Sequence, residues 1–249
     1  MSRGAVSWVA AAVLLAADLF LHKPISDICD AWVVRYGWAT YNRRVFDVIA
    51  SASIAVALVL LARDWRRWLR PSAIAALLAL LALTCGAYKL LMVANIELIH
   101  FPQYALMTGA LLAGGNSLNV AWTAAVAAGV IDEIYQHLVI YAGRPDTYLD
   151  FNDMVLNAIA ATWVVLLVWA GRRPKPTALA RSLRPAWRPA ILLVGALLAL
   201  LWLFPPTFSP FLRRAATGRY YRVLSGAEGL LVTVLLWAVA RLGIERAPD

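Results

Sequence analysis

The chain has 249 residues, of which 62% are hydrophobic and 15% charged, and its formal net charge at pH 7 is +9. A soluble domain carries about 45–50% apolar and about 25% charged residues, and it leaves much of its surface in water. This composition excludes a soluble enzyme, a disordered chain and a coiled coil. Only two cysteines are present, Cys29 and Cys85, which excludes a disulfide-rich secreted scaffold. A polytopic membrane protein fits all of these numbers.

Eight apolar stretches follow one another along the chain, and each predicts a helix that crosses a bilayer, which needs roughly 20 apolar residues. They cover residues 5–22, 45–62, 72–93, 98–114, 118–140, 153–171, 190–205 and 224–243. The first stretch is interpreted as a span rather than a cleaved signal, because Asp18 interrupts it and no clear small-residue cleavage site follows. The predicted fold class is an all-α bundle of about eight transmembrane helices.

The loops divide this bundle into four parts. Residues 1–71 form an N-terminal transmembrane hairpin, 72–171 a four-helix core, 172–189 a basic linker and 190–249 a C-terminal transmembrane hairpin. Basic residues concentrate at 63–70 and in the linker, which predicts that both segments are cytoplasmic. Four spans separate them, so both chain termini should be cytoplasmic as well. Basic residues between apolar stretches indicate topology and lipid headgroup contacts rather than nucleic-acid binding.

Polar residues of the third to sixth spans collect at the predicted outer end of the bundle. Charged side chains there cost at least about 2.5–3.5 kcal/mol in hydrocarbon, so they should face one another or a wet cavity. On the fourth span the spacing of Glu97, His100 and Tyr104 places all three on one helix face. The remaining polar residues of this cluster are Asp132, Glu133, Gln136, His137, Arg144, Asp146, Asp150, Asn152, Asp153 and Asn157.

Four spaced elements carry a family resemblance. They are the string 97–104 (ELIHFPQY), the string 132–136 (DEIYQ), Arg144 and the string 153–157 (DMVLN). Together they resemble the pattern of the VanZ-like membrane protein family over about residues 95–161, so that 72–171 would be a VanZ-like core. Two departures are visible: Ala158, Ala160 and Ala161 stand where the family has glycines, and the flanking hairpins lie outside the pattern.

The resemblance implies a protein of the bacterial cell envelope, located in the inner (cytoplasmic) membrane. The family's namesake is associated with resistance to the glycopeptide teicoplanin, and the family has no firmly assigned reaction, so whether this chain is an enzyme is left open. The resulting hypothesis is binding or modification of an anionic lipid, or of a lipid-linked glycan that serves as an envelope precursor, at the outer leaflet. Membrane lipids are the expected partners, and nucleic acid is not.

Roles for individual residues follow from their chemistry. His100 would be a general base or proton relay, and Asp132 and Glu133 would share protons with it. A second group would bind substrate, namely Arg144, Gln136, Asp153, Asn157 and Tyr104. Guanidinium groups hold phosphate in a forked geometry, so Arg43, Arg44, Arg213 and Arg214 would form a phosphate-binding rim, unless they only contact headgroups.

Other interpretations use the same residues. The polar cluster suits a proton- or ion-coupled transporter or lipid translocase, or a structural or partner-binding membrane protein whose polar groups lock helices together. The set of His100, Glu133, His137 and Asp153 would supply nitrogen and carboxylate donors to a metal. Because no tight ligand motif such as His-Glu-x-x-His is present, the sequence predicts neither a metal nor a cofactor.

Overall fold

Eight α-helices account for most of the chain in the computed structural model, which describes residues 2–63, 69–144, 148–171, 187–203, 212–214 and 220–244. The helices within these ranges are α1 Arg3–Tyr36, α2 Trp38–Arg63, α3 Pro71–Leu90, α4 His100–Ala113, α5 Leu118–Tyr135, α6 Phe151–Gly171, α7 Arg188–Trp202 and α8 Gly226–Ala238. A 3₁₀ turn, Asn95–Ile99, precedes α4, and π turns at Gln136–Ile140 and Val239–Ile244 follow α5 and α8. The predicted all-α class is confirmed.

Each predicted apolar stretch overlaps one of these helices. Three of the described helices, α1, α3 and α6, are both long and apolar enough to cross a membrane, and α7 is apolar but shorter. A membrane protein is therefore supported by helix length and hydropathy, while the full number of eight spans stays a prediction. The structure also contains a feature that hydropathy did not predict, an antiparallel pair of strands, β1 Leu212–Arg214 and β2 Tyr220–Arg222.

Helix α6 is the centre of the bundle. It packs against α3, α4, α5 and α8, and it is the most buried of the three long apolar helices. At one end of the bundle Arg70 donates through Nη2 to the carbonyl of Ala170 (2.6 Å), which places the start of α3 beside the end of α6. Of the predicted basic linker, residues 172–186 lie outside the described residues.

The N-terminal helix packs closely on this central unit. Where α1 meets the end of α4, a Cβ added to Gly114 would lie 1.9 Å from Ser7 Oγ, so only glycine fits there. Helix α1 also contacts α2 and α5, whereas α7 packs on α3 and α8. The predicted N-terminal hairpin therefore shares an interface with the central helices, and this interface borders the cavity described below.

Large apolar side chains cover the outside of the bundle. Val34, Trp202 and Phe20 are 87%, 80% and 71% exposed, and similar residues occur on all eight helices. Soluble monomers rarely expose contiguous apolar patches of more than a few hundred Å². The exposed surface is thus of the kind that contacts lipid.

Candidate functional site

A cavity of about 680 Å³ opens beside the first residues of α4 and α6. Helices α1, α4, α5 and α6 contribute to its walls. Its charged lining consists of seven carboxyl groups, three imidazoles and one guanidinium: Asp18, Asp30, Glu97, Asp132, Glu133, Asp150, Asp153, His22, His100, His137 and Arg144. Apolar side chains form the remaining wall, among them Leu14, Leu21, Ile25, Leu106 and Met107. The cavity is therefore amphiphilic, and its polar part is acidic.

His100 and Asp153 meet across this cavity. His100 is the first residue of α4, and its Nε2 lies 3.3 Å from Asp153 Oδ2 in the first turn of α6. Asp150 fixes that turn because its Oδ1 accepts the backbone N–H of Asn152 (2.9 Å) and of Asp153 (3.3 Å). The His100 ring also stacks on Tyr104. Two elements about 50 positions apart in the sequence thus form one imidazole–carboxylate pair.

The end of α5 adds two buried carboxyl groups. Asp132 and Glu133 are 1% and 2% exposed. The Gln136 amide donates to both, to Asp132 Oδ2 at 2.9 Å and to Glu133 Oε1 at 3.3 Å. Gln136 opens the π turn that continues α5, so this turn positions the amide over both acids. The structure therefore brings together His100, Asp132, Glu133, Gln136 and Asp153, as the sequence pattern suggested.

Two acidic groups before the helices have perturbed pKa values. Glu97, in the 3₁₀ turn, accepts the backbone N–H of Val93 and Ala94 (3.0 and 2.9 Å), but burial and the charge of Asp153 raise its pKa well above the usual range. Burial, together with the same neighbour, raises the pKa of Asp150 to about 7. Both groups hold a proton more readily than they would in water.

Arg144 lines the cavity without neutralising these acids. Its guanidinium carbon lies 4.9 Å from the centre of the Tyr141 ring, a cation–π arrangement. None of the described carboxylates is within salt-bridge distance of it. Arg144 is also the single Lys or Arg among the described lining residues. It is therefore placed to meet an anion that enters the cavity.

Two predicted substrate-binding residues lie beneath the cavity rather than on its wall. Asn157 is completely buried, and a Cβ on Gly129 of α5 would lie 2.6 Å from its Nδ2. Among the described residues its amide has no hydrogen-bond partner. Tyr104 is also fully buried, and its hydroxyl donates to Asp18 Oδ2 at 3.3 Å.

The described residues do not form the predicted phosphate-binding rim at the cavity. Arg43 and Arg44 are exposed on α2, and Arg43 Nε lies 4.0 Å from Asp47. Neither of these arginines lines the cavity. Arg213 and Arg214 belong to β1, and their side chains fall outside the described part of the chain.

Helix α1 supplies site residues that the sequence reasoning missed. Asp18 accepts a hydrogen bond from Gln103 Nε2 at 2.5 Å as well as the one from Tyr104. One turn further along, His22 Nε2 is 3.0 Å from the Tyr141 hydroxyl. The sequence signal was Asp18 itself, a carboxylate inside an apolar stretch, because such a group is destabilising unless it faces a polar cavity. In the sequence, Asp18 argues against a cleaved signal peptide, and no spacing pattern links it to the polar cluster.

This arrangement can perform acid–base chemistry, because an imidazole and several carboxyl groups share one buried space with access to a ligand. It can also hold a cation, because carboxyl groups outnumber basic groups in its described lining. No protein-family model matches the chain, and no match is found among curated proteins or solved structures.

Proposed function

We propose that this chain is a VanZ-like integral membrane protein of the bacterial cell envelope, whose eight helices cross the inner membrane with both termini in the cytoplasm. Its function in this proposal is to bind or modify the polar head of an anionic lipid or lipid-linked glycan at the outer leaflet. The supporting observation is that three of the four elements of the sequence pattern contribute side chains to the acid–base cluster of one cavity, and the fourth, Arg144, lines the same cavity.

The shape of the cavity favours an amphiphilic ligand. Leu21 and Ile25 of α1 and Leu106 of α4 contribute apolar surface to its wall, and carboxyl and imidazole groups contribute the polar surface. Binding pockets combine an apolar lining with a few polar groups that orient the ligand. A lipid satisfies both parts, with its chain against the apolar wall and its head among the polar groups.

The chemistry assigned to the site begins with His100. Asp153 orients the imidazole and stabilises its protonated form, so His100 can accept a proton from a water molecule or a substrate hydroxyl. Arg144 contacts the negative charge of the head. Asp18, through Gln103 and Tyr104, fixes the wall that α1 shares with α4.

Arg144→Gln tests the preference for an anionic head. The full-length protein is transferred to nanodiscs that contain anionic and zwitterionic phospholipids in equal amounts, and the lipids it retains are counted by native mass spectrometry. Wild-type protein should retain one anionic lipid per chain. Arg144→Gln should weaken that binding about 10- to 100-fold, because hydrogen bonds to charged groups contribute about 1.5–3 kcal/mol.

Arg44→Gln is the matched control, since Arg44 carries the same charge on an exposed face of α2 away from the cavity lining. It should leave retention of the anionic lipid unchanged. Equal retention of anionic and zwitterionic lipid by wild-type protein would contradict the proposal, as would an equal loss in the two variants.

A further inference from the structure

We infer that His100, Glu133 and Asp153 form a binding site for one divalent transition-metal ion, of the zinc or manganese type. One ligand atom of each residue lies within 4.8 Å of the other two, and His100 Nε2 is 3.3 Å from Asp153 Oδ2. Ligand atoms around a tetrahedral zinc with bonds of about 2.1 Å are roughly 3.4 Å apart. Small side-chain movements therefore suffice to bring all three into coordination.

The donor set indicates the class of ion. One imidazole nitrogen and two carboxylates match zinc, manganese and iron, whereas magnesium and calcium prefer oxygen donors alone. Three protein ligands leave further coordination positions open, as in catalytic zinc sites. All three residues line the cavity, so an ion held by them is accessible to a ligand there.

Unpartnered buried atoms are a second, independent observation. His100 and Asp132 are 7% and 1% exposed, and in the described part of the chain neither His100 Nδ1 nor Asp132 Oδ1 has a hydrogen-bond partner. Both residues line the same cavity. A buried polar atom without a partner costs about 1–3 kcal/mol, so Asp132 Oδ1 indicates a polar ligand in the cavity, such as a metal-bound water.

The charge of the cluster points in the same direction. Asp132, Glu133 and Asp153 place three carboxyl groups beside one imidazole, and Arg144 forms no salt bridge with them. Buried carboxylates are strongly destabilising unless a cation or a proton neutralises them. A divalent ion supplies the missing positive charge at the point where the donor atoms converge.

Neighbouring groups hold two of the ligands in place. Gln136 donates to Glu133 Oε1, and Asp150 accepts the backbone N–H of Asp153 at the start of α6. Such supporting hydrogen bonds are typical of metal sites, where they orient the ligands. With the ion bound, His100 Nε2 is a ligand and no longer the base, and the ion would attract the anionic head into an otherwise acidic cavity. That role rests on the proposed function, whereas metal binding itself does not.

His137 provides a matched control. It lines the same cavity and lies one helical turn beyond Glu133, yet the described geometry leaves it outside the group of converging ligand atoms. The sequence alone could not exclude His137 as a metal ligand, because its i, i+4 spacing from Glu133 places these two residues on one helix face.

The test uses full-length protein in detergent, stripped with a chelator and then titrated with Zn²⁺ or Mn²⁺ alone. Elemental analysis should find one ion per chain, and cobalt substitution should give the visible absorption bands of a protein-bound ion. His100→Gln, Glu133→Gln and Asp153→Asn should each weaken binding at least about 100-fold, because each removes one of three ligands. His137→Gln should bind like wild type.

Circular dichroism melting shows which variants remain folded. The number of ions bound per wild-type chain tests the inference even if a variant does not fold. Folded wild-type protein that binds neither ion would overturn the inference, as would a loss in His137→Gln equal to that in His100→Gln. Metal binding with no preference for anionic lipid would remove the lipid proposal and leave the metal site. A preference for anionic lipid without metal binding would remove the metal site and leave the lipid proposal.

Discussion

Asn152→Ala is expected to lower the free energy of unfolding by at least about 3 kcal/mol, since three buried hydrogen-bonding groups would lose their partner at about 1 kcal/mol or more each. The Asn152 amide donates to the carbonyls of Leu91 (3.0 Å) and Arg222 (2.7 Å), and its oxygen accepts the N–H of Leu224 (2.9 Å). One side chain thus ties the start of α6 to the segment after α3, to β2 and to the segment before α8. Denaturant unfolding in detergent measures the loss.

Asn157→Ala is the control for that experiment. Asn157 lies on the same helix and is equally buried, but its amide has no hydrogen-bond partner among the described residues. Its truncation should change the free energy of unfolding by less than about 1 kcal/mol, because no partner is left unsatisfied. An equal loss in the two variants would contradict the account of Asn152. A loss of lipid retention in stable Asn157→Ala would support its predicted substrate-binding role.

Asp18→Ala should both destabilise the protein and weaken its binding of lipid in the cavity. The replacement leaves the Gln103 amide and the Tyr104 hydroxyl without their acceptor, at a cost of about 2 kcal/mol. Since Asp18 fixes the cavity wall between α1 and α4 through Gln103 and Tyr104, loss of these bonds should disorder that wall, and we expect retention of the anionic lipid to fall at least about 10-fold. Thermal melting and native mass spectrometry of the same sample measure the two effects.

Asp27→Ala provides the comparison on the same helix. Asp27 is exposed and pairs with Lys23 one turn earlier. Exposed pairs of this spacing contribute about 0.3–0.5 kcal/mol, so both stability and lipid retention should stay close to wild type. If Asp18→Ala behaves like Asp27→Ala, α1 is not part of the site.

Hydropathy predicted where the helices lie but not where all of them end. The apolar stretch 5–22 predicts only the first part of α1, which continues through Pro24 to Tyr36. The added segment contains Lys23, Asp27, Asp30 and Arg35, and these charged residues lower its mean hydropathy. Hydropathy therefore does not identify it as part of a helix. Helix α1 as a whole packs on α2 and α4, and a sequence window cannot represent such contacts.

The candidate site was predictable in part. Helical spacing and antiparallel connections placed His100, Glu133 and Asp153 at one end of the bundle, and the structure brings them together. Arg144 was predicted to bind substrate; it lines the cavity, and its guanidinium lies over the Tyr141 ring. Which partner a long side chain selects depends on loop geometry, and the sequence does not specify that.

Asn157 shows a second limit of sequence reasoning. It follows Asp153 by one helical turn, so both share a face of α6, and the sequence predicted that both reach the ligand. One turn deeper, however, α5 approaches α6 at Gly129 and covers the Asn157 side chain. This close approach requires the absence of a Cβ at Gly129 of α5. The spacing of residues within α6 does not predict such an approach.

The most direct test of the central claim is an electron cryomicroscopy structure of the full-length protein in nanodiscs made with bacterial lipid extract. The account predicts density for one lipid in the cavity, with its head beside His100, Asp153 and Arg144 and its chain along Leu21 and Leu106. A cavity that holds only water, or one that is closed so that His100 and Asp153 form a dry pair, would contradict it.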